Sequence, residues 1–149
     1  MKVLGSIRFH PVTDEMMISA AKGYLYIPLF GDIPCGTPNF LDDELRGYLE
    51  IPENVIGQGE FFVLRAKGDS MIDAGIDDGD LVIVKKQNYA EESQIVVAFI
   101  DGETTLKRLY KNDEQKLVEL RPENKKYKPL YASDCLIFGV AVKIIKDLK

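Results

Sequence analysis

From Gly59 onward the chain is a succession of short apolar runs: Phe61 to Lys67, Leu81 to Lys85, Gln94 to Ile100, Thr104 to Leu109, Leu117 to Arg121 and Leu136 to Ile145. Clusters of Gly, Asp, Asn and Pro part them. Runs this short, rich in Val, Ile, Leu and Phe and bounded by turn residues, are strands, so the body of the protein is expected to be mainly β. The pair Asp101-Gly102 supplies the positive φ that a two-residue turn requires, which predicts a hairpin over Ile95 to Leu109. Upstream, Y-L-Y-I-P-L-F from Tyr24 to Phe30 predicts a further strand. It runs into G-D-I-P-C-G-T-P, two Gly and two Pro in eight residues, the composition of an extended, exposed loop. Residues 1 to 23 hold no sustained period and are expected to form a mobile arm, with one helical turn near Glu15 to Ala21. The segment from Asn39 to Pro52 stays unassigned: Asn39 can cap a short helix, but Gly47 and Pro52 argue against a long one.

Length and charge narrow the function classes. The 149 residues suit one domain, and 19 Lys plus Arg against 24 Asp plus Glu give a net charge of −5. Non-specific binding to phosphates depends on Lys and Arg, so direct DNA binding is not expected and a role near nucleic acid would run through a protein partner. The longest unbroken apolar run, Ile95 to Ile100, is far short of the roughly 18 to 20 residues of a bilayer span, and no apolar segment of a secretory signal follows the N-terminus. No membrane contact is expected. Cys35 and Cys135 then read as reduced thiols of a cytoplasmic protein.

The densest unusual segment runs from Gly68 to Asp80, G-D-S-M-I-D-A-G-I-D-D-G-D, between two predicted strands. Its acids do not fall at the alternate positions of a calcium loop, and the closing Glu is missing, so no metal is expected. No phosphate-cradling glycine loop is present either, and no cofactor is expected. Ser70, at a strand end after Gly68-Asp69, suits a nucleophile whose turn aims backbone N–H groups at an oxyanion. A serine needs a base. The only histidine, His10, lies in the expected arm, which disfavours a Ser-His-Asp triad and equally a Cys35–His10 pair. Lysine is the remaining candidate, and with an ordinary pKa near 10.4 it is neutral in about one molecule in 2,500 at pH 7, so it must be buried to serve. Most of the lysines sit in polar surroundings. Lys107 differs, because alternation on the hairpin's second strand puts it on one face with Thr105 and Leu109.

Three blocks of sequence carry a resemblance. The string F-F-V-L-R-A-K-G-D-S-M-I-D-A-G-I-D-D-G-D-L-V-I-V, the string I-V-V-A-F-I-D-G-E-T-T-L-K-R-L, and Cys35-Gly36 in its Pro-rich loop resemble the LexA and UmuD family of self-cleaving SOS-response proteins. Cys35 lies 35 residues before Ser70 and Lys107 lies 37 after it, a spacing similar to the family's. The resemblance implies a β-rich catalytic domain over residues 39 to 149, with the serine–lysine chemistry that type I signal peptidases share. A flexible N-terminal arm, residues 1 to 38, would carry the cleavage loop. It implies Ser70 as nucleophile, Lys107 as buried neutral base, the amides of Asp69 and Ser70 as oxyanion hole, and Cys35–Gly36 as the bond cut.

It also implies a homodimer and stimulation by a RecA filament on single-stranded DNA. Only 34 residues precede Cys35, too few for a repressor's DNA-binding domain, so the reading put first is UmuD-like, a product serving a Y-family translesion polymerase. Glu50-Ile51-Pro52 and Pro122-Glu123-Asn124 resemble LexA repressors instead, and a repressor's catalytic domain is the alternative. Pro34, with its rigid φ beside the bond, departs from the family's pattern.

Overall fold

A computed structural model describes residues 7–11, 22–33 and 45–148. The elements in chain order are β1 (Arg8–Pro11), β2 (Tyr24–Ile33), β3 (Gly47–Pro52), a single helical turn α1 (Glu53–Ile56), β4 (Phe61–Ala66) and β5 (Leu81–Lys86). They continue with β6 (Ile95–Ile100), β7 (Glu103–Asn112), β8 (Leu117–Arg121), β9 (Leu130–Ala132) and β10 (Leu136–Ile145). The described strands form one sheet in the order β1-β3-β2-β4-β5-β10-β6-β7-β8-β9. This bears out the mainly β expectation. The hairpin from Ile95 is present too, with φ of 52° at Asp101 and 81° at Gly102, both in the region a tight turn demands.

The central strands read as unbroken apolar runs because both of their faces are covered. On β4, Phe62, Leu64 and Ala66 enter one cluster while Val63 enters another; on β5, Val82 and Val84 part from Ile83 in the same way. On β6, Val97 joins the first cluster, and Val96, Ala98 and Ile100 join a third with Leu109, Leu120 and Val140. Leu64, Ile83, Val84, Val96 and Val97 are essentially fully buried. Truncating a Leu or Ile of this kind to Ala costs about 2–5 kcal/mol. Between β5 and β6 lies β10, where Gly139 has no room for a side chain: a Cβ would stand 2.4 Å from the Lys85 carbonyl oxygen.

Two expectations change. Residues 8–11, assigned to a mobile arm, form β1 and pair with β3 from Arg8↔Glu50 to Pro11↔Gly47. The cause is a long-range partner: His10 Nε2 lies 3.1 Å from the Glu50 carboxylate, and the His10 ring packs on Tyr26 at 5.1 Å. Six of the fourteen residues of the unassigned segment, Gly47 to Pro52, likewise form a strand, packed between β1 and β2. The helical turn expected near Glu15 and the helix considered from Asn39 lie outside the described residues.

One pairing orients the site. Each paired neighbour in the sheet is antiparallel except β2 and β4, which run parallel with Ile33 beside Ala66. β2 also runs three residues past the predicted Phe30, across a register shift between Leu29 and Asp32.

Candidate active site

Ser70 stands on the connection between β4 and β5, where the chain leaves the sheet at Ala66, makes a single 3-10 turn at Ile72–Ala74 and returns at Leu81. Met71 and Ile76 sink from this loop into the cluster that holds Phe62, Leu64 and Leu106, which fixes the loop on the sheet by apolar contact. Its acids serve as internal acceptors and ion-pair partners. Asp78 Oδ1 accepts the Gly68 N–H at 2.7 Å, Asp80 Oδ2 accepts the Asp77 N–H at 2.8 Å, and Lys146 bridges Asp77 and buried Asp80 at 2.8 and 3.1 Å. That accounts for three of the five aspartates that the sequence places here.

Lys107 reaches the same place from the sheet. Its cross-strand partner on β6 is the fully buried Val96, and Leu109, on its face of the strand, is buried as well. Lys107 Nζ lies 3.4 Å from Ser70 Oγ, 2.7 Å from Thr105 Oγ1 and 3.1 Å from the Leu106 carbonyl oxygen. Burial pushes its pKa below the ordinary lysine value. The partners also set the direction of the amine. A carbonyl oxygen can only accept, so one N–H of the amine goes to Leu106; a neutral amine that gives its second N–H to the Thr105 hydroxyl has its lone pair free for the Ser70 proton. Ser70 and Lys107 line a cleft of about 350 Å³ with Asp69, and its apolar walls include Ala66, Met71, Ile76 and Leu106.

A third segment, between β8 and β9, closes on the serine loop. The Glu123 N–H donates to the Ser70 carbonyl at 2.8 Å, and Glu123 in turn accepts the Asp73 N–H at 2.8 Å. Asn124 Nδ2 donates to the Asp69 carbonyl at 2.7 Å. The Tyr127 hydroxyl donates to the Asp69 carboxylate. That bond, aided by Lys126, holds the Asp69 carboxyl below the usual carboxylate range and raises the Tyr127 phenol. Arg108, next to Lys107, pairs with the Glu123 side chain and ties the segment to β7.

The sequence reading singled out Ser70, Lys107 and Asp69, and the fold brings all three to one cleft. It missed the contacts of Asn124 and Tyr127. Thr105 entered only as a neighbour on the face of Lys107, although the period of two that placed it there was the signal for its contact. Cys35 and Gly36 lie outside the described residues. His10 is on β1 with Glu50, on a strand at the sheet's edge.

Comparison with known proteins decides the family. A model of the Peptidase S24-like family matches residues 28–142. The chain belongs to that family. This bears out the resemblance read from the serine and lysine blocks. Its relatives among curated proteins include the LexA repressor of Desulfitobacterium hafniense, 37% identical over 137 residues, 92% of this chain and 66% of that protein. The LexA repressors of Syntrophomonas wolfei and Caldicellulosiruptor saccharolyticus are 38% and 40% identical, over 93% and 92% of this chain and 66% of each relative. The chain therefore spans about two thirds of the length of these S24-like relatives. Among the described residues, no helix is long and apolar enough to cross a membrane.

Proposed function

We propose that this S24-like chain is a self-cleaving serine endopeptidase, with Ser70 as nucleophile, Lys107 as general base and its own Cys35–Gly36 bond as substrate. The observation that carries the proposal is the approach of Lys107 Nζ to 3.4 Å from Ser70 Oγ, in a cleft where burial favours the neutral amine. Such contacts are often long before substrate binds and tighten in the reacting complex. The parallel pair supports the choice of substrate: Ile33, two residues before Cys35, lies beside Ala66, four residues before Ser70.

The steps follow from these groups. Neutral Lys107 takes the Ser70 proton as Oγ attacks the Cys35 carbonyl carbon, and the N–H groups of Asp69 and Ser70 receive the oxyanion. Collapse breaks the C–N bond. The proton held by Lys107 passes to the Gly36 nitrogen, which departs as a new amino terminus. Water, deprotonated by Lys107, then opens the acyl-serine ester and leaves a Cys35 carboxylate. A RecA filament on single-stranded DNA is the proposed stimulus, and a homodimer the proposed assembly.

What the reaction serves is read from the relatives. Each of the three is named a LexA repressor, which supports a catalytic domain in transcriptional control of the DNA-damage response as a reading equal to the polymerase-accessory role put first on sequence.

Intact-mass analysis after incubation at neutral and at mildly alkaline pH tests the chemistry, with Ser70→Ala and Lys107→Ala beside the parent. The expected result is a fragment beginning at Gly36 in the parent only, formed faster as pH rises and levelling once Lys107 is neutral. A rate flat from neutral to strongly alkaline pH removes Lys107 as base. Absence of the fragment even with RecA, single-stranded DNA and nucleotide leaves a non-catalytic binding module.

A further inference from the structure

The peptide that joins Asp69 to Ser70 is held from one side by a buried amide. Asn124 is 8% exposed, and both ends of its side chain are committed: Nδ2 donates to the Asp69 carbonyl at 2.7 Å, and Oδ1 accepts the Lys126 N–H at 3.0 Å. The second bond fixes which end of the amide faces Asp69, since a backbone N–H can only donate. The next carbonyl along, that of Ser70, is taken by the Glu123 N–H at 2.8 Å. Two successive carbonyls of the serine turn are thus gripped by two successive residues of the segment between β8 and β9. In a trans peptide the C=O and N–H bonds point to opposite sides of the chain. Anchoring the Asp69 oxygen on Asn124 therefore turns the Ser70 N–H away from the segment.

We infer that Asn124 is a positioning residue of the reaction: it sets the plane of the Asp69–Ser70 peptide so that the Ser70 N–H is aimed where the oxyanion forms. The inference rests on the peptidase reading given above. The hydrogen bonds of the Asn124 side chain go to Asp69 and Lys126 and not to Ser70 Oγ or Lys107, so its effect passes through the backbone it holds. Oxyanion donors are effective because they are aligned before charge develops, and a donor free to swing loses that advantage.

The test uses the full chain and the appearance of the Gly36 fragment, with Asn124→Asp, Asn124→Ala and, as a control on the same segment, exposed Lys125→Ala. Asn124→Asp fills the same space and can still accept from Lys126, but it no longer donates to Asp69. An added carboxylate also raises the pKa of nearby lysines, so rates are compared on the alkaline plateau, where Lys107 is neutral in every variant. The expected result is a plateau reduced about 10- to 100-fold in both Asn124 variants and unchanged in Lys125→Ala. Each variant is assayed below its own melting temperature. A near-parental plateau in Asn124→Asp beside a slowed Asn124→Ala shows that Asn124 only fills space and overturns the inference, as do near-parental plateaus in both. If Asn124→Ala does not fold, Asn124→Asp decides alone by the same criterion. Failure of the parent itself to yield the fragment strikes the peptidase reading instead, so the two failures are distinguishable.

Discussion

Lys107 lies within β7, opposite Val96 on β6 and one residue before the pairing with β8 begins at Arg108, so its backbone is placed by the same ladder that builds the sheet. Ser70 lies on a loop that is anchored in the core by its own Met71 and Ile76 and held from outside by Glu123 and Asn124, from a segment more than fifty residues on. The proposed base is thus positioned by regular structure and the proposed nucleophile by a mosaic of separate contacts. Perturbing the first requires changing the side chain itself. The second can be loosened from several directions without touching the reacting atoms, because alignment to within a fraction of an ångström is what each contact secures.

The largest effect should come from the ladder side. Lys107→Met removes the base and should slow cleavage by about 10²–10⁴-fold. It should also stabilise the fold at neutral and mildly acidic pH. The folded pKa of Lys107 is depressed, so between that value and the unfolded one the unfolded chain binds more protons and stability rises with pH; below the folded pKa the cost of burying the ammonium is present in full. The gain in melting temperature should therefore be greatest at low pH and shrink as pH rises through the folded pKa. A variant melting below the parent in mild acid would show that Lys107 pays no burial cost.

On the loop side the effects should be graded. Gly68 has φ of +89° and open space where a Cβ would stand, so Gly68→Ala adds backbone strain alone, about 1–2 kcal/mol. Cleavage should fall by roughly tenfold with the pH midpoint set by Lys107 unchanged; a moved midpoint would mean that the loop and the strand are not independent. Smallest is Tyr127→Phe. Losing the hydroxyl should let the Asp69 carboxyl rise toward its usual value, read by NMR titration, while cleavage at neutral pH stays within about twofold because Asp69 is ionised in either case.

The same contrast explains what could be read from the chain. Lys107 was legible because strands carry their own ruler: the Asp101-Gly102 turn sets the register, and alternation then places Lys107 on the face of Leu109. Ser70 was legible as a residue type at a strand end, and its partner emerged by elimination and by resemblance. Asn124 stood out only within the repressor-like string Pro122-Glu123-Asn124, which carried no sign of its contact. Its bond to Asp69 crosses 55 positions, and nothing in P-E-N-K-K-Y announces a contact with a glycine-rich loop. β3 was missed for a related reason: Glu50 is buried on it against His10, and a charged residue among apolar ones breaks the pattern that marks a covered strand. β9, three residues long, is too short to show a period.

The parallel pairing of β2 with β4 has a kinetic meaning. Two residues span at most about 7 Å, and four at most about 14 Å, so Cys35 and Ser70 are leashed to adjacent positions, Ile33 and Ala66, by tethers of known maximum length. A reactant held on so short a leash has an effective concentration in the millimolar range or above, well beyond what a second copy in dilute solution supplies. The proposed cleavage should accordingly be first order, with the same half-time in a dilute sample as in a concentrated one.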